Sequence, residues 1–187
     1  MIADMFFLNA FLAGSLLFGG AGEGGEWPSL PSPDGHAYRI SDFEESRLVV
    51  LVFTGNTCPI AADYDARLNA LAGRFDPRQV RFVAVNVADG PGESIEDMKD
   101  RAGSGGLLYL KDEAKALARK FDARVTPHAF VLAERGSRVV YQGAIDDNPA
   151  DAAKVRRPFL EQAIRAALEG KSPAVSRTTP KGCSILY

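Results

Sequence analysis

LVVLVFTGNTCPIAADYDARLNALAGRF, residues 48–75, decides the fold. Its opening run, Leu48–Thr54, is apolar or β-branched without a break, the pattern of a strand buried on both faces. From Pro59 onward, Ile60, Tyr64, Leu68, Leu71 and Phe75 recur at steps of four and three, which predicts a helix with one apolar stripe. Pro59 suits the first helical position, where a missing N–H costs nothing. Cys58 therefore stands where a buried strand turns into a helix.

Strands and helices alternate on either side of this unit. Gln79–Val87 is a second buried strand, so the helix becomes a βαβ crossover and the two strands run parallel. Ser94, with Asp97 three positions on, predicts a capped short helix through Arg101. Leu107–Leu110 reads as a short strand, and Asp112 as the cap of a helix ending at Phe121. His128–Ala133 and Arg138–Gln142 flank Gly136 and form a hairpin. A last helix is predicted from about Val155 to Leu168, with Phe159, Leu160, Ala163, Ile164, Ala167 and Leu168 on one face. Upstream, His36–Ile40 follows the Asp34-Gly35 turn as a short strand. The expected architecture is α/β, with a mixed central sheet and helices on both faces.

Composition narrows the function classes. Of the 187 residues, 46% are hydrophobic and 25% charged, an ordinary globular balance. The net charge is −2, and the densest basic spot, Lys154 with Arg156 and Arg157, fits a solvated helix face. Nucleic acid needs clustered cations to neutralise its phosphates and is not an expected partner. The two cysteines, Cys58 and Cys183, make neither a disulfide scaffold nor a zinc-finger spacing. No metal and no other cofactor is expected.

The N-terminus points to export. Phe6 to Phe18 is almost wholly apolar, too short to span a bilayer but suited to a signal-peptide core, and a small-residue stretch follows. The preceding MIADM carries Asp4 and no cation, so a retained N-terminal helix in a cytoplasmic protein is the competing reading. Residues 19–35 read as a linker. The Gly run at 20–25 is not a nucleotide loop, since no strand precedes it and no helix follows. The chain divides into a leader (1–24), a globular domain (25–170) and an extended tail (171–187) that carries Cys183.

At the head of a helix, unpaired amides and the positive end of the dipole stabilise an anion, so Cys58 is expected as a reactive thiolate. A cysteine at this turn, followed far downstream by Val125-Thr126-Pro127 at the start of a hairpin, resembles the thioredoxin superfamily. The resemblance implies a cis proline at Pro127 packed beside the cysteine. The stretches LPSPDGHAYRISDF, NTCP, VTPHAFVL, YQGAIDDNP and KGCSI are similar to the redoxin, or alkyl-hydroperoxide-reductase-like, branch, from about residue 27 to the end. That branch implies a thioredoxin-like fold with a redoxin-type N-terminal extension.

Several family features are missing. Three positions after Cys58 stands Ala61, so the C-x-x-C pair is absent, and three before it stands Gly55. Val52 replaces the usual buried carboxylate. The peroxiredoxin motif also fails, with Leu51 for its proline and Gly55 for its threonine. Asn56 and Thr57 are candidate donors to the thiolate or substrate, and His128, next to Pro127, is a candidate to tune it. Asp146, in the acidic turn Ile145–Pro149, is a candidate contact for the tail or a substrate.

Cys183 is the remaining thiol. In a thioredoxin-like sheet the last helix runs away from the active end, so the tail must return to reach Cys58. About 12 extended residues span about 40 Å, against about 22 Å for the helix. Cys183 is therefore a candidate resolving thiol. The expected function is a thiol-dependent oxidoreductase acting on a protein disulfide or on a small thiol or peroxide, regenerated by Cys183 or by an external thiol reductant. The competing class is a non-catalytic binding protein for a partner or a metal ion, with Cu(I) held by thiolate and His128.

Overall fold

In the computed structural model, residues 27–99, 101 and 106–187 are described. The leader reading for residues 1–24 lies outside them.

Leu48–Thr54 forms β3, every residue buried, at the centre of a five-stranded sheet of order β5-β4-β3-β7-β8. Chain order begins with β1 (Leu30–Pro31) and β2 (Ala37–Tyr38), a two-residue antiparallel pair. After β3 come α1 (Pro59–Ala72) and β4 (Val80–Asn86), then α2 (Ile95–Met98) and β5 (Leu107–Lys111). Next are α3 (Ala116–Lys120), β6 (Val125–Thr126), β7 (His128–Ala133) and β8 (Arg138–Gly143). The chain closes with α4 (Phe159–Leu168) and β9 (Cys183–Ser184). β3, β4 and β5 are parallel, while β7 runs antiparallel to both β3 and β8.

Two cores follow from the period of two along the strands. Val50 and Val52 of β3 face Tyr64, Leu68 and Leu71 of α1 and Leu160 and Ile164 of α4. Val49, Leu51 and Phe53 face Trp27, Phe43 and Leu117 of α3. Each such fully buried side chain contributes about 1.5–3 kcal/mol, so the two-sided strand anchors the sheet. This is a thioredoxin-like α/β fold.

Several element ends differ from the pattern. α1 stops at Ala72, where the Gly73 amide turns back to the carbonyls of Asn69 and Leu71, yet Phe75 still packs on Phe82 at 6.1 Å. Ser94 caps α2 reciprocally with Asp97, and the helix is one turn. Asp112 accepts the amides of Ala116 and Ala118 at 2.9 and 3.0 Å, so it caps α3 from four residues upstream. α4 begins at Phe159 rather than near Val155, because Pro158 disfavours helix in the residue before it. Only Ala37–Tyr38 of the expected His36–Ile40 strand is paired, and Ile40–Phe43 is a 3-10 turn.

Candidate thiol site

Cys58 is the N-cap residue of α1, with extended backbone, and is 5% exposed. Its side chain makes no capping hydrogen bond, and the sulfur stands at the head of α1, where the Ala61 amide favours its anion. As a thiol it donates to the Thr126 carbonyl at 3.1 Å. The Thr126–Pro127 peptide bond is cis. Burial pushes the Cys58 thiol up. Hydrogen bonds from the Cys183 thiol, the Thr126 side chain and the Ala61 and Cys183 amides outweigh that and hold it below the ordinary cysteine value.

The second sulfur arrives on the tail. The strap is first anchored on β8, where the Gln142 amide donates to Ser176 O and the Thr178 amide to Gln142 O, both at 3.0 Å. Thr178 Oγ1 accepts the Ala144 amide at 2.8 Å and lies 2.7 Å from the Tyr141 hydroxyl. The chain then crosses to pair β9 antiparallel with β6, placing Cys183 opposite Thr126. Ile185 donates to the Arg124 carbonyl at 3.0 Å, and the Tyr187 hydroxyl donates to the Ala123 carbonyl. Both cysteines are free, and each shifts the titration of the other. The hydrogen bond to Cys58, then burial and the Cys58 charge, push Cys183 up to about 11.

Gly182 makes this seat possible. A Cβ there would stand 2.0 Å from the Thr126 carbonyl oxygen and 2.6 Å from its carbon. Gly143 has the same role at the first anchor, where a Cβ would fall 2.1 Å from Thr178 Oγ1.

The other expected site residues are placed differently. The Asn56 amide and the Thr57 amide and hydroxyl all donate to the Glu93 carboxylate, at 2.8, 2.8 and 2.7 Å. Asn56 Nδ2 donates to Gly92 O at 3.0 Å, so these donors serve the neighbouring loop rather than the sulfur. His128 shares its sheet face with Phe130, opposite α1, with the two rings 4.5 Å apart. Its Nδ1 accepts the Arg124 amide at 3.3 Å, and burial drives its pKa down to about 4, so it is neutral near pH 7. Asp146 walls a cleft of about 260 Å³ beside Pro127 and Lys181. Its carboxylate is nevertheless spent on the Tyr64 hydroxyl at 2.7 Å, Arg67 at 2.8 Å and the Asn148 amide at 2.9 Å.

Two residues escaped the sequence reading. Glu93, 2% exposed, gathers the loop amides. Arg101 gathers the loop carbonyls, donating to Gly55 O at 2.9 Å and Asn56 O at 2.5 Å while pairing with Asp65 of α1. The available signal was the Gly-Pro-Gly-Glu stretch beyond the carboxyl end of β4, the same end of the parallel strands as Cys58. Among the described residues, no group of three or more His, Cys, Asp or Glu side chains is placed to hold a metal ion.

Fold and site together define a thioredoxin-like redoxin. The AhpC/TSA family model matches residues 27–142, and the chain belongs to that family. An uncharacterized conserved protein from Geobacillus kaustophilus is similar at 30% identity and a TM-score of 0.79, over 88% of this chain and 90% of that one. A hypothetical protein from Sinorhizobium meliloti is similar at 28% identity and a TM-score of 0.77, over 88% and 92%. The exposed lipoprotein thioredoxin of Streptococcus pneumoniae shares the fold at 20% identity and a TM-score of 0.56, over 78% and 99%. No curated protein matches. Family and fold go with thiol-based redox function in general.

Proposed function

We propose that the protein is a thiol-disulfide oxidoreductase in which Cys58 is the nucleophile and Cys183 the resolving thiol. The observation that carries this reading is the strap that pairs Cys183 opposite Thr126, whose carbonyl accepts the Cys58 thiol. It supplies from the chain terminus the second thiol that Ala61 does not provide.

The Cys58 thiolate attacks one sulfur of a client disulfide, forms a mixed disulfide and releases the client's other half as a thiolate, which takes a proton from solvent. Cys183, deprotonated, then attacks the Cys58 sulfur and expels the bound client thiolate. The two electrons pass to the client, and the protein is left with a Cys58–Cys183 disulfide. An external dithiol reductant restores both thiols. The order is set by charge: while Cys58 is anionic it holds the proton on Cys183, and once Cys58 is bonded to the client that cause disappears. A hydroperoxide is the alternative oxidant; attack on its oxygen gives a Cys58 sulfenic acid and an alcohol, and Cys183 displaces water from that sulfur.

The proposed catalytic group thus comprises Cys58 and Cys183, with Thr126, whose carbonyl accepts the Cys58 thiol, and the adjoining Pro127 beside them. The proposed client is a disulfide-bearing protein or a small disulfide or peroxide. The apolar run Phe6 to Phe18 supports an exported location, where such clients persist. Non-reducing peptide mapping after brief oxidation tests the pairing. A 58–183 linkage within one chain is expected, and oxidised protein with neither that linkage nor a capturable mixed disulfide at Cys58 defeats the reading.

A further inference from the structure

The turn ahead of Cys58 is held from both sides. Its amide side faces one carboxylate: Glu93 accepts from Asn56 N, Thr57 N and Thr57 Oγ1, and also from Asn86 Nδ2 at 2.7 Å. Its carbonyl side faces Arg101, whose guanidinium also pairs with Asp65 on α1. Glu93 can reach inward because Gly90 and Gly92 bend its loop at φ of +103° and +83°, conformations that side chains rarely adopt. The turn itself passes close to the next loop at Gly55. A Cβ on Gly55 would strike Ala88 Cβ at 2.8 Å, with Glu93 Oε1 at 3.6 Å and Cys58 Cβ at 3.9 Å. Behind the carboxylate, buried Lys111 donates to Ala88 O at 2.6 Å and reaches Asn86 Oδ1 at 3.4 Å. Asp89 pairs with Lys115 on the same rim.

Four donors converging on a buried carboxylate are more than a loop needs for cohesion. Burial alone pushes Glu93 up, but the Thr57 hydroxyl and amide and the Asn86 and Asn56 groups outweigh it, so the site is built for the anion. The residue it grips hardest, Thr57, is the one bonded to Cys58. A displacement there shifts Cys58 from its place at the head of α1.

We infer that Glu93 is a positioning residue for Cys58, fixing the Gly55–Thr57 turn so that α1 opens directly under the sulfur. The inference rests on the reading of Cys58 as the nucleophile. It assigns a role to Glu93 through the turn, without contact between Glu93 and the client. Glu93→Gln places an amide N–H₂ among donors, so one or more of the four bonds is lost and the turn relaxes.

The test is the pH profile of Cys58 alkylation by iodoacetamide in the full-length chain, read on the Cys58 peptide by mass spectrometry. Glu93→Gln is expected to slow alkylation at pH 6 about tenfold, with the midpoint rising correspondingly. A bare loss of charge beside the thiolate would instead speed it, and either that or an unchanged profile overturns the inference. Should Glu93→Gln fail to fold, Glu93→Asp keeps the charge but withdraws it by one methylene. The same slowing is expected there, and an unchanged profile is equally fatal. A wild-type midpoint at or above that of an ordinary cysteine sinks the nucleophile reading itself. A low wild-type midpoint that both Glu93 variants leave in place sinks this inference alone.

Discussion

At the residue scale the reactivity of Cys58 is a balance between burial, which opposes the charge, and converging donors, which favour it. The Cys183 thiol is the foremost of those donors, a role that in the proposed mechanism precedes its attack on the Cys58 sulfur. Cys183→Ala removes the donor and should slow Cys58 alkylation at pH 6 about tenfold, as loss of a hydrogen bond to a charged group implies. Cys183→Ser keeps a hydroxyl there and should retain most of the rate. Equal slowing in both variants, measured by stopped-flow alkylation, would assign the effect to the strap rather than the bond. Asp146 makes the opposite case, because its carboxylate is saturated by Tyr64, Arg67 and Asn148. Asp146→Asn is expected to cost about 1–3 kcal/mol in urea unfolding while leaving the Cys58 pH profile in place. The place of Cys58 at a helix start was legible from sequence, because Pro59 and the apolar stripe behind it mark where α1 begins. The roles of Asn56, Thr57 and Glu93 were not, since which way their donors and acceptors point depends on the two glycine φ angles that turn the Glu93 loop inward.

At the scale of elements, what periodicity encodes was readable and what pairing encodes was not. β3, α1, β4 and the β7–β8 hairpin each carry enough alternation or stripe to be drawn from residues alone. β6 and β9 are two residues long and carry no pattern; they exist only because each has the other opposite. Their meeting depends on Gly182, whose position against the Thr126 carbonyl admits no side chain. Gly182→Ala should therefore unseat residues 183–187 while the β8 anchor at Ser176–Thr178 stays closed. Formation of the 58–183 disulfide under fixed oxidant is expected to slow at least about tenfold, the size of effect that loss of a positioned reactant produces. Amide exchange at Ile185, whose N–H is bonded to Arg124 O, should rise in the same variant. An Ile185 amide that remains protected would show that the strap tolerates the methyl group and that Gly182 is not its fastener.

Across the whole molecule, the carboxyl ends of β3 and β4 and the entry to β7 meet at one edge, so the thiol, the cis-proline wall and the Glu93 loop converge without long connections. The sheet order follows from the βαβ crossover and the hairpin, which is why the fold class was readable from residues 48–75 outward. The packing of that edge also leaves a mark on global stability. His128 enters β7 opposite Phe53 with its ring against Phe130, and burial lowers its pKa from 6.5 to about 4. The folded protein therefore stays unprotonated at His128 through a window in which the unfolded chain takes up a proton. Stability is unaffected by this group above pH 6.5, falls as pH descends from 6.5 to 4, and levels off below. At about 1.4 kcal/mol per pH unit, the window is worth about 3 kcal/mol. Urea unfolding of wild type and His128→Gln at pH 7, 5.5 and 4 isolates the term from the titrating carboxylates, which both proteins share. Wild type is expected to lose about 3 kcal/mol more than the variant across the series, and parallel losses would mean that His128 gains a proton in the folded state as readily as in the unfolded chain.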